Sequence, residues 1–244
     1  TSAFAFKGGS QDVRKVGRKL DVKTVLEGSV RKSGDNLRIT VQLINVMDGY
    51  HLWSERYDRE LKDVFKIQDE ISLAIVDILK VKILEGEKHK LVKRYTDNIE
   101  AYNLYWQGIY FFNQFNFSLF NKAIDYFNQA LQKDPNYAIA YYGLGACYFC
   151  LAYFGVQRTS AVKSVMKNYI KKALEVDENL SEAYDMLGLF NACFDWKWTD
   201  AKSAWQHSVE LNPNNVMALL TFSINRSSWR DFEYAKKLVE RAKN

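Results

Sequence analysis

Apolar residues change their spacing several times before residue 85. Val13, Val16, Gly17 and Leu20 recur at i, i+3, i+4 and i+7, which predicts a helix over Asp12–Leu20. Arg14, Lys15, Arg18 and Lys19 fall on its other face. A solvated face accounts for them, because a nucleic-acid surface calls for a larger single-sign area or interleaved aromatics. From Lys23 to Lys32 the period drops to two and predicts a strand, closed by the turn cluster Ser33-Gly34-Asp35-Asn36. Leu37, Ile39, Val41 and Leu43 then alternate with Arg38, Thr40 and Gln42, a half-buried strand of a hairpin. Met47-Asp48-Gly49 turns the chain again, and Tyr50–Tyr57 reads as a third strand. Leu61, Val64, Phe65, Gln68, Ile71, Ile75 and Leu79 mark one stripe of a long helix over Leu61–Leu84. Three strands covered on one face by helices suffice for a small core. A further strand pairing with this meander is expected upstream of Thr1.

Beyond about Asp97 the alternation gives way to a longer repeat. The first unit carries Gly108 and Phe111, then Ala123, Phe127, Ala130 and Pro135. The second carries Tyr141, Leu144, Gly145 and Tyr148, then Ile170, Ala173 and the turn Asp177-Glu178-Asn179. The third has Tyr184, Leu187 and Gly188, then Ala201, Trp205 and Pro213; the fourth has Leu219 and Phe222, then Ala235, Val239 and Ala242. Small residues belong where two helices cross closely, and large ones fill the gaps beside them. Asp134-Pro135-Asn136 and Asn212-Pro213-Asn214 each stop one helix and start the next. The first unit has roughly three extra residues within Gln114–Asn121, and the second roughly nine around Phe154–Ser164. Both are expected to be loops on one edge that extend a binding surface.

This spacing resembles the tetratricopeptide (TPR) repeat. The resemblance implies about four stacked helical hairpins over 97–244 that bind a protein or peptide partner. In such repeats the first helix of each pair lines a concave groove. The corresponding positions are Tyr102, Tyr105, Ile109 and Phe112; Ile139, Tyr142, Ala146 and Phe149; and Glu182, Asp185, Leu189 and Ala192. The expected groove is aromatic and apolar at one end and acidic toward the other. Exposed aromatics at that density suit partner anchors; in the other reading, the first part or the linker helix folds back over them. The carboxylate clamp of chaperone-type repeats needs Lys and Asn at these positions, and those of the first two units are uncharged.

Composition sharpens the division. Of 244 residues, 48% are hydrophobic and 26% charged, which fits a globular chain, and no apolar run approaches the roughly 20 residues of a membrane span. Residues 1–95 hold 19 Lys and Arg against 14 Asp and Glu, whereas residues 96–244 hold 15 of each. The whole net charge of +5 therefore lies in the first part, which supports a boundary near residue 95. Three cysteines without a repeated spacing argue for a reducing compartment, so a cytoplasmic location is expected. The opening Thr1-Ser2-Ala3-Phe4 has neither a Met nor a signal pattern, and reads as a start inside a longer protein.

A second resemblance covers residues 1 to about 85. Thr1–Gly8, Leu26–Gly34 (LEGSVRKSG), Leu37–Val46 (LRITVQLINV), Asp48–Glu60 (DGYHLWSERYDRE) and Val64–Ser72 (VFKIQDEIS) are similar to the amino-terminal domain of the bacterial TolB protein. The opening strand and helix of that α/β module are absent from this sequence. In the family the module stands between a signalling domain and TPR repeats. Its upstream neighbour is a class III adenylate cyclase, a winged-helix DNA-binding domain or a protein kinase. The expected fold class is α+β, a truncated α/β module with a three-strand antiparallel meander and flanking helices, followed by a TPR solenoid. The expected divisions are 1–86 for the module, 87–96 for a linker and 97–244 for the repeats.

Candidate chemistry is sparse. His51, His89 and His207 share no metal-ligand spacing. Cys147 and Cys150 form a C-x-x-C inside an aromatic helix pattern, which suits buried small hydrophobes. Gly8-Gly9-Ser10 lacks the spacing of a phosphate loop, and the adjacent Asp69 and Glu70 point to different parts of their helix. Lys88, Lys90, Lys93 and Arg94 read as a solvated linker helix. Trp196 and Trp198 are expected to wedge between repeat units. No catalytic, cofactor-binding or metal-binding residue is assigned, and no enzyme activity is expected of this chain. Its partner is expected to be a polypeptide, with no nucleic-acid or membrane contact by this region; the pattern is compatible with an oligomer. The alternative is the regulatory part of a larger signalling enzyme, such as a class III adenylate cyclase, or of a winged-helix transcription regulator.

Overall fold

The structure is a computed structural model that describes residues 6, 12–79 and 95–243. It divides into two compact units, 1–94 and 95–244. In the first, helix α1 spans Val13–Leu20. Asp12 caps it by accepting the Arg14 backbone N–H, and Asp21 ends it in the left-handed region at φ 53°. Gly17 rests directly on Val46, where any Cβ would collide with the valine methyls. Strands β1 (Thr24–Ser33), β2 (Asn36–Asn45) and β3 (His51–Glu60) form an antiparallel meander in that order. Gly34 (φ 58°) and Gly49 (φ 78°) supply the positive φ at its two turns. A single 3₁₀ turn, Leu61–Asp63, leads into α2 (Val64–Ile78).

The alternation read in β2 has the expected consequence. Leu37, Val41 and Leu43 are buried, and Val41 packs with Tyr57 of β3 and Ile67 of α2, flanked by Ile39, Trp53 and Ile71. Ile67 lies outside the anticipated stripe, yet it is the most buried residue of α2, while Leu79 is 40% exposed. Leu26 and Val30 of β1 pair with Leu43 and Ile39, so they share the inward face, but both are exposed. The far end of the anticipated Leu61–Leu84 helix lies outside the described residues. So do most of the 87–96 linker with its basic cluster and His89, and Gly8-Gly9-Ser10.

The second unit is four helical hairpins. They are α3 (Ile99–Phe112) with α4 (Phe117–Lys133), α5 (Ala138–Tyr153) with α6 (Thr159–Val176), α7 (Ser181–Phe190) with α8 (Trp198–Leu211), and α9 (Val216–Ser228) with α10 (Phe232–Lys243). The turns between hairpins repeat one geometry. Asp134, Asp177 and Asn212 each leave the helix in extended conformation and accept the backbone N–H two residues on. The turns inside hairpins each hold one left-handed residue: Phe115, Gly155, Trp196 and Arg230. In the third, the chain passes through a π-helical turn, Asn191–Asp195, before Trp196.

The extra residues of the first two units do not form the expected loops. The helices resume at Phe117 and Thr159, so part of the added length extends α4 and α6 to 17 and 18 residues, against 14 in α8. Both segments bury apolar residues in their first two turns, Phe120 and Val162, which makes helix the favourable state there. Trp196 and Trp198 do not wedge between units either. They stand 69% and 43% exposed and meet each other edge to face at 5.6 Å. The wedge is instead Phe127. Its ring is fully buried between Gly108 of its own hairpin and Gly143 of the next, where an added Cβ would come within 2.6 and 2.8 Å of it. Replacing Phe127 by Ala should lower the unfolding free energy of the helical unit by about 3–5 kcal/mol. Urea titration followed by helical circular dichroism would measure it; a loss under about 1 kcal/mol would remove Phe127 from this role.

Candidate partner-binding groove

The first helices of the hairpins stand side by side. α3 touches α5, α5 touches α7, and α7 touches α9. These helices and the π-helical turn after α7 carry the twelve anticipated groove positions, none of them fully exposed. Tyr105, Ala146, Phe149, Asp185 and Ala192 are buried; Tyr102, Ile109, Phe112, Ile139, Tyr142, Glu182 and Leu189 are half-buried. The expectation of an exposed aromatic groove is therefore corrected. The aromatic rings are used inside the solenoid: Tyr105 packs on Tyr137 at 5.3 Å and Phe127 at 5.6 Å, and Phe149 meets Phe194 at 5.4 Å. Burial pushes the Tyr105 phenol well up.

Polar chemistry gathers on α7. Asp185 is 2% exposed, and its Oδ1 accepts from the Trp205 indole N–H at 3.0 Å and from the Thr221 hydroxyl at 2.5 Å. Burial pushes its carboxyl up to about 6, against the lowering effect of those two donors, and the Glu182 charge adds to the rise. Tyr142 is raised first by burial and then by Asp185 and Glu182, and Tyr95 first by burial and then by Glu182. The Glu182 charge also adds to the rise at Tyr105. Its Oε2 is buried to under 1 Å² and accepts no hydrogen bond.

Sequence reasoning missed Trp205 and Thr221 as supports of this site. Trp205 is recognisable as a packing residue from its repeat position, but its indole N–H partner lies 20 residues away, beyond any periodic signal. A buried network beneath the site was missed for the same reason. Ser181 and Ser208 exchange side-chain-to-carbonyl bonds at 2.9 and 2.7 Å, and Asn215 Nδ2 donates to Ser181 Oγ at 2.8 Å. The cysteines are free thiols; burial pushes Cys150 up to about 11 and Cys147 higher, which suits packing rather than nucleophilic work. His207 meets Tyr184 edge to face at 4.4 Å on the α8 surface, and His51 is exposed at the start of β3. Among the described residues no group of three potential ligands is placed to hold a metal ion, and no helix is long and apolar enough to cross a membrane.

Comparison with known proteins bears on the fold. A thermophilic TPR protein of Thermus thermophilus superposes with a TM-score of 0.51 at 15% identity, over 71% of this chain and 89% of that one. The helical unit therefore has the fold of a TPR-type helical solenoid. No protein-family model matches the chain. Putative adenylate cyclase 3 of Rhizobium meliloti (strain 1021) is 42% identical over 143 residues, 59% of this chain. The transcriptional regulator HilA of Salmonella typhimurium is 22% identical over 168 residues, 68% of this chain. The chain spans 24% and 30% of the length of these two curated relatives.

Asp185 gives this TPR wall a pH signature. Its folded value lies above its unfolded one, so its contribution to stability is present below about pH 4 and is lost as pH rises through about 6. Asp185→Asn keeps the Oδ1 acceptor and removes the titration. The variant should match the parent near pH 4 and exceed its stability by about 2 kcal/mol at pH 7.5. Paired urea titrations across that range would check this; a difference that stays constant with pH would contradict it.

Proposed function

We propose that the chain is a non-catalytic regulatory region that binds a polypeptide along the wall formed by α3, α5, α7 and α9. The observation that carries this reading is the chemistry of that wall. Half-buried Tyr102, Ile109, Phe112, Ile139 and Leu189 offer apolar contact, and half-buried Glu182 adds a carboxylate toward one end. An apolar track with a few convergent polar groups suits recognition of an extended or helical segment. It supplies no nucleophile–base arrangement. We assign residues 1–86 to a TolB amino-terminal-like module, 87–96 to a linker and 97–244 to the TPR solenoid. The free thiols favour a reducing, cytoplasmic setting.

For the larger protein, a class III adenylate cyclase is the favoured reading, supported by the 42% identity to a protein named a putative adenylate cyclase. A winged-helix transcription regulator is the second reading, supported by the weaker likeness to HilA. In either case the output chemistry belongs to other parts of the protein. The test is chemical cross-linking of the chain in lysate of its source, with the Tyr102→Ala/Ile139→Ala double variant alongside. Polypeptide capture by the parent should fall about tenfold in the variant with circular dichroism unchanged. Equal capture by both would contradict the groove reading, and turnover of ATP by the purified chain would contradict its non-catalytic character.

A further inference from the structure

The turns inside the first three hairpins carry rings that the core does not use. Phe115 and Phe117 stand at the first turn, Tyr153, Phe154 and Val156 at the second, and Trp196 and Trp198 at the third. The exposure of these rings runs from 39% for Phe117 to 69% for Trp196. Contacts join the three turns into one edge. Phe117 meets Phe154 at 5.3 Å, and Tyr153 stacks on Phe149, which meets Phe194 of the third turn at 5.4 Å. Lys163, in the first turns of α6, donates to the Phe194 carbonyl at 2.9 Å and pairs with Asp195 at 2.6 Å.

Size and charge narrow the choice of what covers this edge. At about 200 Å² for an aromatic side chain, the six rings at their exposures present about 650 Å². The largest apolar patch of a typical monomer is about 300–600 Å², and a stable pair of proteins buries about 800 Å² on each side. The edge is also poor in charge. Residues 113–118 hold none, and Asp195 is neutralised by Lys163. Exposed Arg158, Lys197 and Asp200 flank the rings in sequence. An anionic membrane surface is ordinarily met by a cluster of about four to eight cations, which these turns do not supply. Aromatic rings with few charges are the composition of the core of a protein interface. The sequence around Trp198 is also self-complementary. Lys197 precedes it and Asp200 follows two residues on, so a two-fold axis beside Trp198 sets Lys197 of each copy against Asp200 of the other.

We propose that this aromatic edge is the contact face of a homodimer. A second copy of the chain lays its own Phe154, Trp196 and Trp198 against these rings about a two-fold axis, with two Lys197–Asp200 pairs at the rim. The contact is independent of the groove reading, because Tyr102 and Ile139 lie at the opposite ends of α3 and α5 from these turns. Dimerisation leaves both positions open to a polypeptide.

Sedimentation equilibrium of the full chain tests this. The fitted mass should rise from the 28.4 kDa of the monomer to twice that value across the micromolar range. Phe154→Ala/Trp196→Asn places at 196 a residue that tolerates its left-handed φ. This variant should dimerise at least about hundredfold more weakly with circular dichroism unchanged. Tyr102→Ala/Ile139→Ala should dimerise as the parent does. Lys197→Asp and Asp200→Lys should each weaken the dimer, and an equimolar mixture of the two should regain it, because the mixed pair restores both charge contacts. A parent that stays at the monomer mass, or a dimer insensitive to Phe154→Ala/Trp196→Asn, would overturn the proposal, as would a mixture no tighter than its components. A monomeric chain that instead sediments with vesicles of phosphatidylcholine and phosphatidylserine, and loses this in Phe154→Ala/Trp196→Asn, would overturn it in favour of a lipid surface.

Discussion

The insertion of one large ring between two glycines sets the geometry on which the rest of the helical unit depends. Phe127 fills the space that Gly108 and Gly143 leave open, so the first two hairpins approach to a distance fixed by one aromatic ring. Trp205 meets Gly188 in the same manner in the third hairpin, with an added Cβ within 2.6 Å of the indole. Close packing of this kind tolerates little change in volume. At Phe127 the second helix of one hairpin thereby meets the first helices of two hairpins at once.

Trp205 connects that packing to the candidate site. Its ring occupies the core of the last two hairpins, stacked on Phe222 at 5.9 Å, while its indole N–H donates to Asp185. One side chain therefore fixes the hairpin and aims the carboxylate. Thr221 completes the hold from α9, so the orientation of Asp185 depends on the docking of two hairpins. The buried Ser181, Ser208 and Asn215 bonds tie the same three helices at their other end. A buried carboxylate held like this is costly to keep charged.

Much of this was legible in the residues. The period-two alternation of Leu37, Ile39, Val41 and Leu43 located a real inward face, and Gly34 and Gly49 marked the turns. The repeat pattern located the helical hairpins. What could not be read was which state the extra residues would take, since Gln114–Asn121 and Phe154–Ser164 carry polar residues suited to loops. Their helices formed because Phe120 and Val162 had a core to enter. The exposure of the groove was also misjudged: periodicity gives the direction of a side chain and not the depth of its neighbours. Tyr105 points along the groove side and is still buried, by Tyr137 from the next hairpin. Likewise the sequence pairs Glu182 with Asp185 on one helix face but is silent on Trp205 and Thr221, which come from helices far along the chain.

The central claim is that a polypeptide is held on the side formed by α3, α5, α7 and α9. Hydrogen–deuterium exchange of the full chain, with and without the polypeptide captured by cross-linking, tests it most directly. The account predicts slowed exchange concentrated in those four helices, greatest around Glu182–Leu189, with α4, α6, α8 and α10 little changed. Protection confined to the second helices of the hairpins, or to the β1–β3 meander, would contradict it.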